Sequence, residues 1–176
     1  MFEGGFVDLD MVRYISLLLF IGLAWGQNNK LKTTDELMNM AYEKAISDNK
    51  HILLIFYADW CDPCSLYTEA LDNKESKIFF DKNYVIVKLN AHGKKHKRND
   101  GANKYYEKLM DSDGMIIPAT FIIDKEGNKK ERFLGYPLSK DRIPQFLEFL
   151  DRYSSLDRYE NQLYLDILAE YLQSLN

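Results

Sequence analysis

Apolar and polar positions along this chain follow two different periods, and the switches between them mark out its elements. In TTDELMNMAYEKAISDNK, residues 33–50, Leu37, Met40, Ala41 and Ala45 recur at three to four residues, the spacing of one helical face. Thr33 stands three residues ahead of Glu36, the spacing of a capping box, so the helix is predicted to start there and to end near Asn49. HILLIFYA, residues 51–58, is an unbroken apolar run of the kind expected for a strand covered on both faces. CSLYTEALDN predicts a helix that begins at the cysteines, and SKIFFDKN a second short helical piece. YVIVKLNA, residues 84–91, is β-branched and alternating, as a strand requires.

Beyond it, HGKKHKRNDG is a basic polar loop and NKYYEKLMD a helix. IIPATFIID and KKERFLGY read as two strands joined by a turn through KEGN, where Gly127 and Asn128 can take positive φ. SKDRIPQFLEFLDRY reads as a helix that tolerates Pro144 only in its first turn, so it is expected to start near Ile143. Helices alternating with strands in this order predict an α/β domain, a central mixed β-sheet with helices on both faces. The tail adds an amphipathic helix: Leu156, Tyr159, Leu163, Ile167, Tyr171 and Leu175 recur every three or four residues. This row is expected to pack across its own domain, with a homodimer or partner contact through the tail helix as the other reading.

The N-terminus changes the setting. From Met11 the chain reads MVRYISLLLFIGLAWGQ, with one positive residue, an apolar stretch and small residues at Ala24 and Gly26, the pattern of a secretory signal peptide cut before Gln27. The ten residues ahead of it carry three acids, so translation is expected to begin at Met11. A membrane anchor needs ~20 apolar residues, more than this stretch offers. The expected organisation is a signal peptide over 1–26, a linker over 27–33, one domain over 34–153 and a helical extension over 154–176. With 176 residues and 46% hydrophobic content, one packed domain is the default. A formal charge of -4 gives no general attraction for nucleic acid.

The two cysteines, Cys61 and Cys64, stand as C-x-x-C between the predicted strand and helix. There the first sulfur meets the unpaired N–H groups and positive dipole end of the helix, which stabilise a thiolate, the attacking species in disulfide exchange. At an ordinary thiol pKa only ~3% would be ionised at pH 7, against about half at a pKa near 7. Cys61 is therefore the expected nucleophile and Cys64 the resolving thiol, with Pro63 placed where a missing N–H costs nothing. Asp59 and Asp62 oppose the ionisation of Cys61 and should move the pair toward the reducing end of the range. Two other readings stay open. A structural clip closing so short a loop would contribute at most ~2 kcal/mol. A metal site could combine Cys61 and Cys64 with His92 and His96, but the gap far exceeds the roughly twelve residues of a zinc finger and the neighbouring lysines repel a cation.

FYADWCDPC followed by GMIIPATFIID resembles the thioredoxin superfamily, above all exported thioredoxin-like proteins and the C-terminal domain of membrane thiol:disulfide interchange reductases. The resemblance runs from about residue 34 to 153 and implies a thioredoxin-like fold and an exported thiol:disulfide oxidoreductase, a reductant in a bacterial periplasm. By position, Trp60 would shield the cysteines, and Ile117–Pro118 would be a cis bond whose backbone pairs with a substrate strand. No cofactor beyond the Cys61–Cys64 disulfide is implied, and no metal. The implied partners are protein disulfides and a membrane thiol-transfer donor. Cytoplasmic members bury an acid where this chain has Ile55, so proton handling for Cys64 is expected from Asp59, Glu69 or water. A noncatalytic interaction module of the same fold is the further alternative.

Overall fold

A computed structural model describes residues 31–110, 114 and 116–175; the signal-peptide reading of residues 1–26 lies outside them. The described elements run α1 (Thr34–Asp48), β1 (His51–Tyr57), α2 (Asp62–Asp72), α3 (Lys74–Asn83), β2 (Tyr84–Asn90), α4 (Ala102–Met110), β3 (Ala119–Ile123), β4 (Lys129–Leu134), α5 (Ile143–Asp151) and α6 (Arg158–Ser174). The four strands form one mixed sheet in the order β2-β1-β3-β4. β1 pairs parallel to β2 and antiparallel to β3, and β3 pairs antiparallel to β4.

Period-two alternation explains why β1 is apolar throughout. Ile52, Leu54 and Phe56 enter a core with α1 and α4 on one face, while Leu53 and Ile55 enter a second core with α2, α3, α5 and α6 on the other. Strand β1 is thus fixed on both sides, and the turn that leaves its end is aimed by the whole sheet.

α1 begins as the capping box predicts. The Glu36 N–H donates to Thr33 Oγ1 at 3.2 Å and the Thr33 N–H to Glu36 Oε2 at 2.7 Å. Thr33→Ala should lower stability by about 1 kcal/mol in urea unfolding; an unchanged midpoint would show that the cap contributes nothing. Pro144 falls in the first turn of α5, as required. Two local expectations are corrected. Met38, not Met40, is the buried methionine of α1, because the inward row is Thr34, Met38, Ala41 and Ala45. In the β3–β4 turn only Gly127 takes positive φ, and Asn128 instead donates its N–H to Asp124 Oδ1 at 2.7 Å.

The tail helix packs on the domain, but with a different row from the one predicted. Asn161, Leu165, Leu168 and Leu172 face inward, the three leucines joining the core of α2, α3 and α5. Tyr159, Leu163, Ile167 and Leu175 are exposed. Both rows satisfy three-to-four spacing, and polar anchors choose between them. Asn161 Nδ2 donates to Asp151 Oδ1 at 2.6 Å, Lys82 pairs with Glu160 at 3.6 Å, and Lys82 lies over the Tyr164 ring. Among the described residues no helix is long and apolar enough to cross a membrane.

Candidate active site

The apolar run of β1 stops at Tyr57, and the chain turns through Ala58, Asp59 and Trp60 into α2. Cys61 is the N-cap of that helix: its carbonyl accepts the N–H groups of Cys64 and Ser65 at 3.0 and 3.1 Å, and its Sγ accepts the Cys64 N–H at 3.3 Å. The sulfur of Cys61 therefore sits where the helix presents otherwise unpaired donors. Pro63 lies in the first turn, where its missing N–H is no loss. Cys61 and Cys64 are joined as a disulfide, with Cα atoms 5.2 Å apart. The two are unequal: Cys61 is 7% exposed and Cys64 fully buried.

The cis-proline segment lies against this pair. The Ile117–Pro118 peptide is cis, and the Ile117 side chain packs on the cluster of Ala58, Cys61 and Cys64. The Pro118 carbonyl accepts the Gly135 N–H at 2.8 Å. Among the described residues the Ile117 N–H and C=O have no partner. Ile116 beside it is pinned by a residue that the sequence reading passed over. The Tyr106 hydroxyl accepts the Ile116 N–H at 2.7 Å and lies 3.0 Å from the Ile116 carbonyl, to which it donates. Tyr106 shares the inward face of α4 with Ala102, Leu109 and Met110, so its burial is readable from spacing but its hydroxyl's partner is not. Tyr106→Phe should cost roughly 1–2 kcal/mol in denaturant unfolding; no loss would show that water replaces the hydroxyl at Ile116.

The charged candidates separate into distinct places. Asp62 and Glu69 are exposed on α2. Asp59 turns away from α2 toward the basic loop, accepting the Lys94 N–H at 2.9 Å and pairing with Lys97 at 3.7 Å. The bond from Lys94 holds the Asp59 carboxyl below its ordinary range against partial burial, with Asn90 and Lys97 adding to it. Trp60 is 55% exposed, and its indole N–H donates to the His92 carbonyl at 2.8 Å. His92 meets the Tyr106 ring edge-on at 5.0 Å. Burial, with the nearby Arg98, pushes the His92 imidazole below its usual range. The four residues of the metal reading are not gathered: both sulfurs are bonded to each other, and among the described residues no group of three or more His, Cys, Asp or Glu could hold a metal ion.

The sequence profile of the thioredoxin-like domain family matches residues 38–151. The chain is 26% identical over 128 residues to a chloroplastic thioredoxin-like protein of Arabidopsis thaliana, covering 72% of this chain and 43% of that protein. It thus spans about half or less of the length of the curated relatives it matches. Among solved structures, a disulphide isomerase from Xylella fastidiosa superposes with a TM-score of 0.50 at 20% identity, over 82% of this chain and 95% of that one. The oxidised C-terminal domain of DsbD from Neisseria meningitidis gives 0.46 at 20% identity, over 70% and 98%.

Proposed function

This chain belongs to the thioredoxin-like domain family, and from that premise we propose that it is an exported thiol:disulfide oxidoreductase that reduces protein disulfides. One observation carries the reading: the Cys61–Cys64 disulfide caps α2 with its outer sulfur at the helix N-terminus, beside a cis-proline segment in which the Ile117 N–H and C=O have no partner among the described residues.

In the reduced protein the Cys61 thiolate attacks one sulfur of a substrate disulfide. A Cys61–substrate bond forms, the substrate S–S bond breaks, and the departing thiolate takes up a proton. Cys64 then loses its proton and attacks Cys61, releasing the second substrate thiol. Two electrons have passed to the substrate, and the protein's own disulfide is restored. Asp59, Glu69 or water is the proposed acceptor of the Cys64 proton, with Asp59 tied to Lys94 and Lys97 and Glu69 exposed on α2; activity against pH for Asp59→Asn and Glu69→Gln would remain unshifted in both if water alone serves. Trp60 stands directly before the nucleophile, exposed and tied to the His92 carbonyl, and Ile117, ahead of the cis-proline, offers its backbone N–H and C=O to an extended substrate segment. Continued turnover needs a donor dithiol, which outside the cytoplasm is a membrane thiol-transfer protein. The signal-peptide pattern from Met11 to Gln27 supports that location, and the organisation proposed with it is a leader over 1–26, a linker over 27–33, a domain over 34–153 and a helical extension over 154–176.

Asp62, next to the nucleophile, disfavours the Cys61 thiolate and hence the dithiol form of the pair, while the charge of Asp59 is engaged by Lys94 and Lys97. The reduction potential, measured against glutathione, should lie nearer roughly −270 mV than roughly −120 mV. A strongly oxidising value would contradict the assignment as a reductant.

A further inference from the structure

The loop from His92 to Arg98 reads in sequence as a solvated excursion, with a docking patch for an acidic partner as the other reading, and the structure builds it into the site. The Trp60 indole holds its first carbonyl, and the Asp59 carboxylate accepts the Lys94 N–H. The Asn90 side chain takes the Gly93 N–H at 2.8 Å, and Asn99 closes the base, its Oδ1 accepting the Asn90 N–H at 2.8 Å. The fit is tight enough to require glycine: a Cβ on Gly93 would lie 2.2 Å from Asp59 Oδ1. Two residues flanking the nucleophile, Asp59 and Trp60, are thus occupied in holding this loop.

The loop presents Lys94, Lys95, His96, Lys97 and Arg98 on a chain whose formal charge is -4. Lys97 is answered by Asp59. Among the described residues the side chains of Lys94, Lys95 and Arg98 have no acidic partner, and both lysines are exposed. Charges farther off than about 8 Å are largely screened at physiological salt, so an approaching polypeptide senses this rim more than the net acidity of the molecule. Because the loop is already ordered, binding there does not have to immobilise it.

We propose that residues 92–98 form a cationic docking rim that recognises acidic residues flanking the disulfide of the protein substrate. The substrate wording rests on the oxidoreductase reading above; the docking itself does not. Aspartate or glutamate beside the target disulfide meets Lys94, Lys95 and Arg98 as the target sulfur reaches Cys61.

The test uses the full chain and two synthetic peptides closed by a disulfide, identical except that the flanking positions are Asp/Glu in one and Lys in the other. Rapid mixing with the reduced protein should show the acidic peptide reacting roughly tenfold faster at low salt. The preference should fall to within about twofold in about 0.5 M salt, and equally in the variant K94Q/K95Q/R98Q, which breaks no ion pair. Reduction of the small neutral 2-hydroxyethyl disulfide should be unaffected. Equal rates for the two peptides, or a preference that survives the triple substitution, would overturn the proposal. A second arm titrates serine-for-cysteine versions of both peptides onto the oxidised protein and follows the amide resonances of residues 94–98. Selective binding of the acidic peptide upholds the rim even where none of the three disulfides is reduced, a result that would count against the redox reading alone; absence of selective binding removes the rim.

Discussion

Alanine in place of Cys64 is expected to turn the protein into a trap, holding substrates as mixed disulfides on Cys61 that persist until external thiol is added. The expectation follows from the unequal placement of the two sulfurs. Cys61 reaches the surface at the N-terminus of α2, while Cys64 lies one turn in and fully buried. An incoming disulfide can meet only the first, and only the second is placed to displace it. Turnover by Cys64→Ala should therefore fall to the level of uncatalysed exchange while covalent adducts accumulate, visible as a mass increase on intact protein. Cys61→Ser should lose both turnover and adducts. Adducts that form on Cys64 in the Cys61→Ser protein, and none in Cys64→Ala, would reverse the assignment. The trapped proteins would also identify the natural substrates and the donor.

The second large effect concerns the core that carries the helix. Phe146 of α5 is fully buried and packs edge-on against Tyr67 of α2 at 5.7 Å, with Phe133 at 5.3 Å and Phe149 at 6.0 Å. Tyr67 in turn shares a hydrogen bond with Thr120 of β3 at 3.0 Å, so one aromatic cluster ties the cysteine helix to the strand that follows Pro118. Phe146→Ala removes a ring at the centre of that cluster and should cost about 3–5 kcal/mol. A domain of this size has only about 5–15 kcal/mol in total, so urea unfolding should begin at much lower denaturant and exchange activity should fall with it. Phe146→Leu keeps most of the volume and should cost less than about 1.5 kcal/mol. Equal losses in the two variants would mean that ring volume is not what matters there.

The sheet and the cysteine turn were legible because each rests on local rules. The unbroken apolar run of β1 implies burial on both faces, and the capping box and Pro144 fix where two helices begin. The pairing of W-C-x-x-C with a distant proline followed from the family resemblance and not from any local rule. What stayed hidden depends on contacts between segments remote in sequence. The tail helix carries two apolar rows, and nothing local says that Asn161 and Asp151 will turn the leucine row inward. Met40 and Met38 are equally apolar, so the frame of α1 is decided by what packs against it. The run from His92 to Arg98 reads by composition as a solvated loop or a patch for an acidic partner, and neither reading shows what holds it. Its order comes from Asp59 and Trp60, more than thirty residues earlier, and Tyr106 holds Ile116 through a hydroxyl whose target no spacing rule supplies.

Disulfide exchange by this protein depends most on Cys61 being the accessible thiolate, and alkylation of the fully reduced protein by iodoacetamide as a function of pH tests that directly. One thiol, mapped to Cys61, should react with a midpoint below the roughly 8.5 of a free cysteine, with Cys64 left unmodified. A midpoint at or above that value, or modification of Cys64 first, would contradict it.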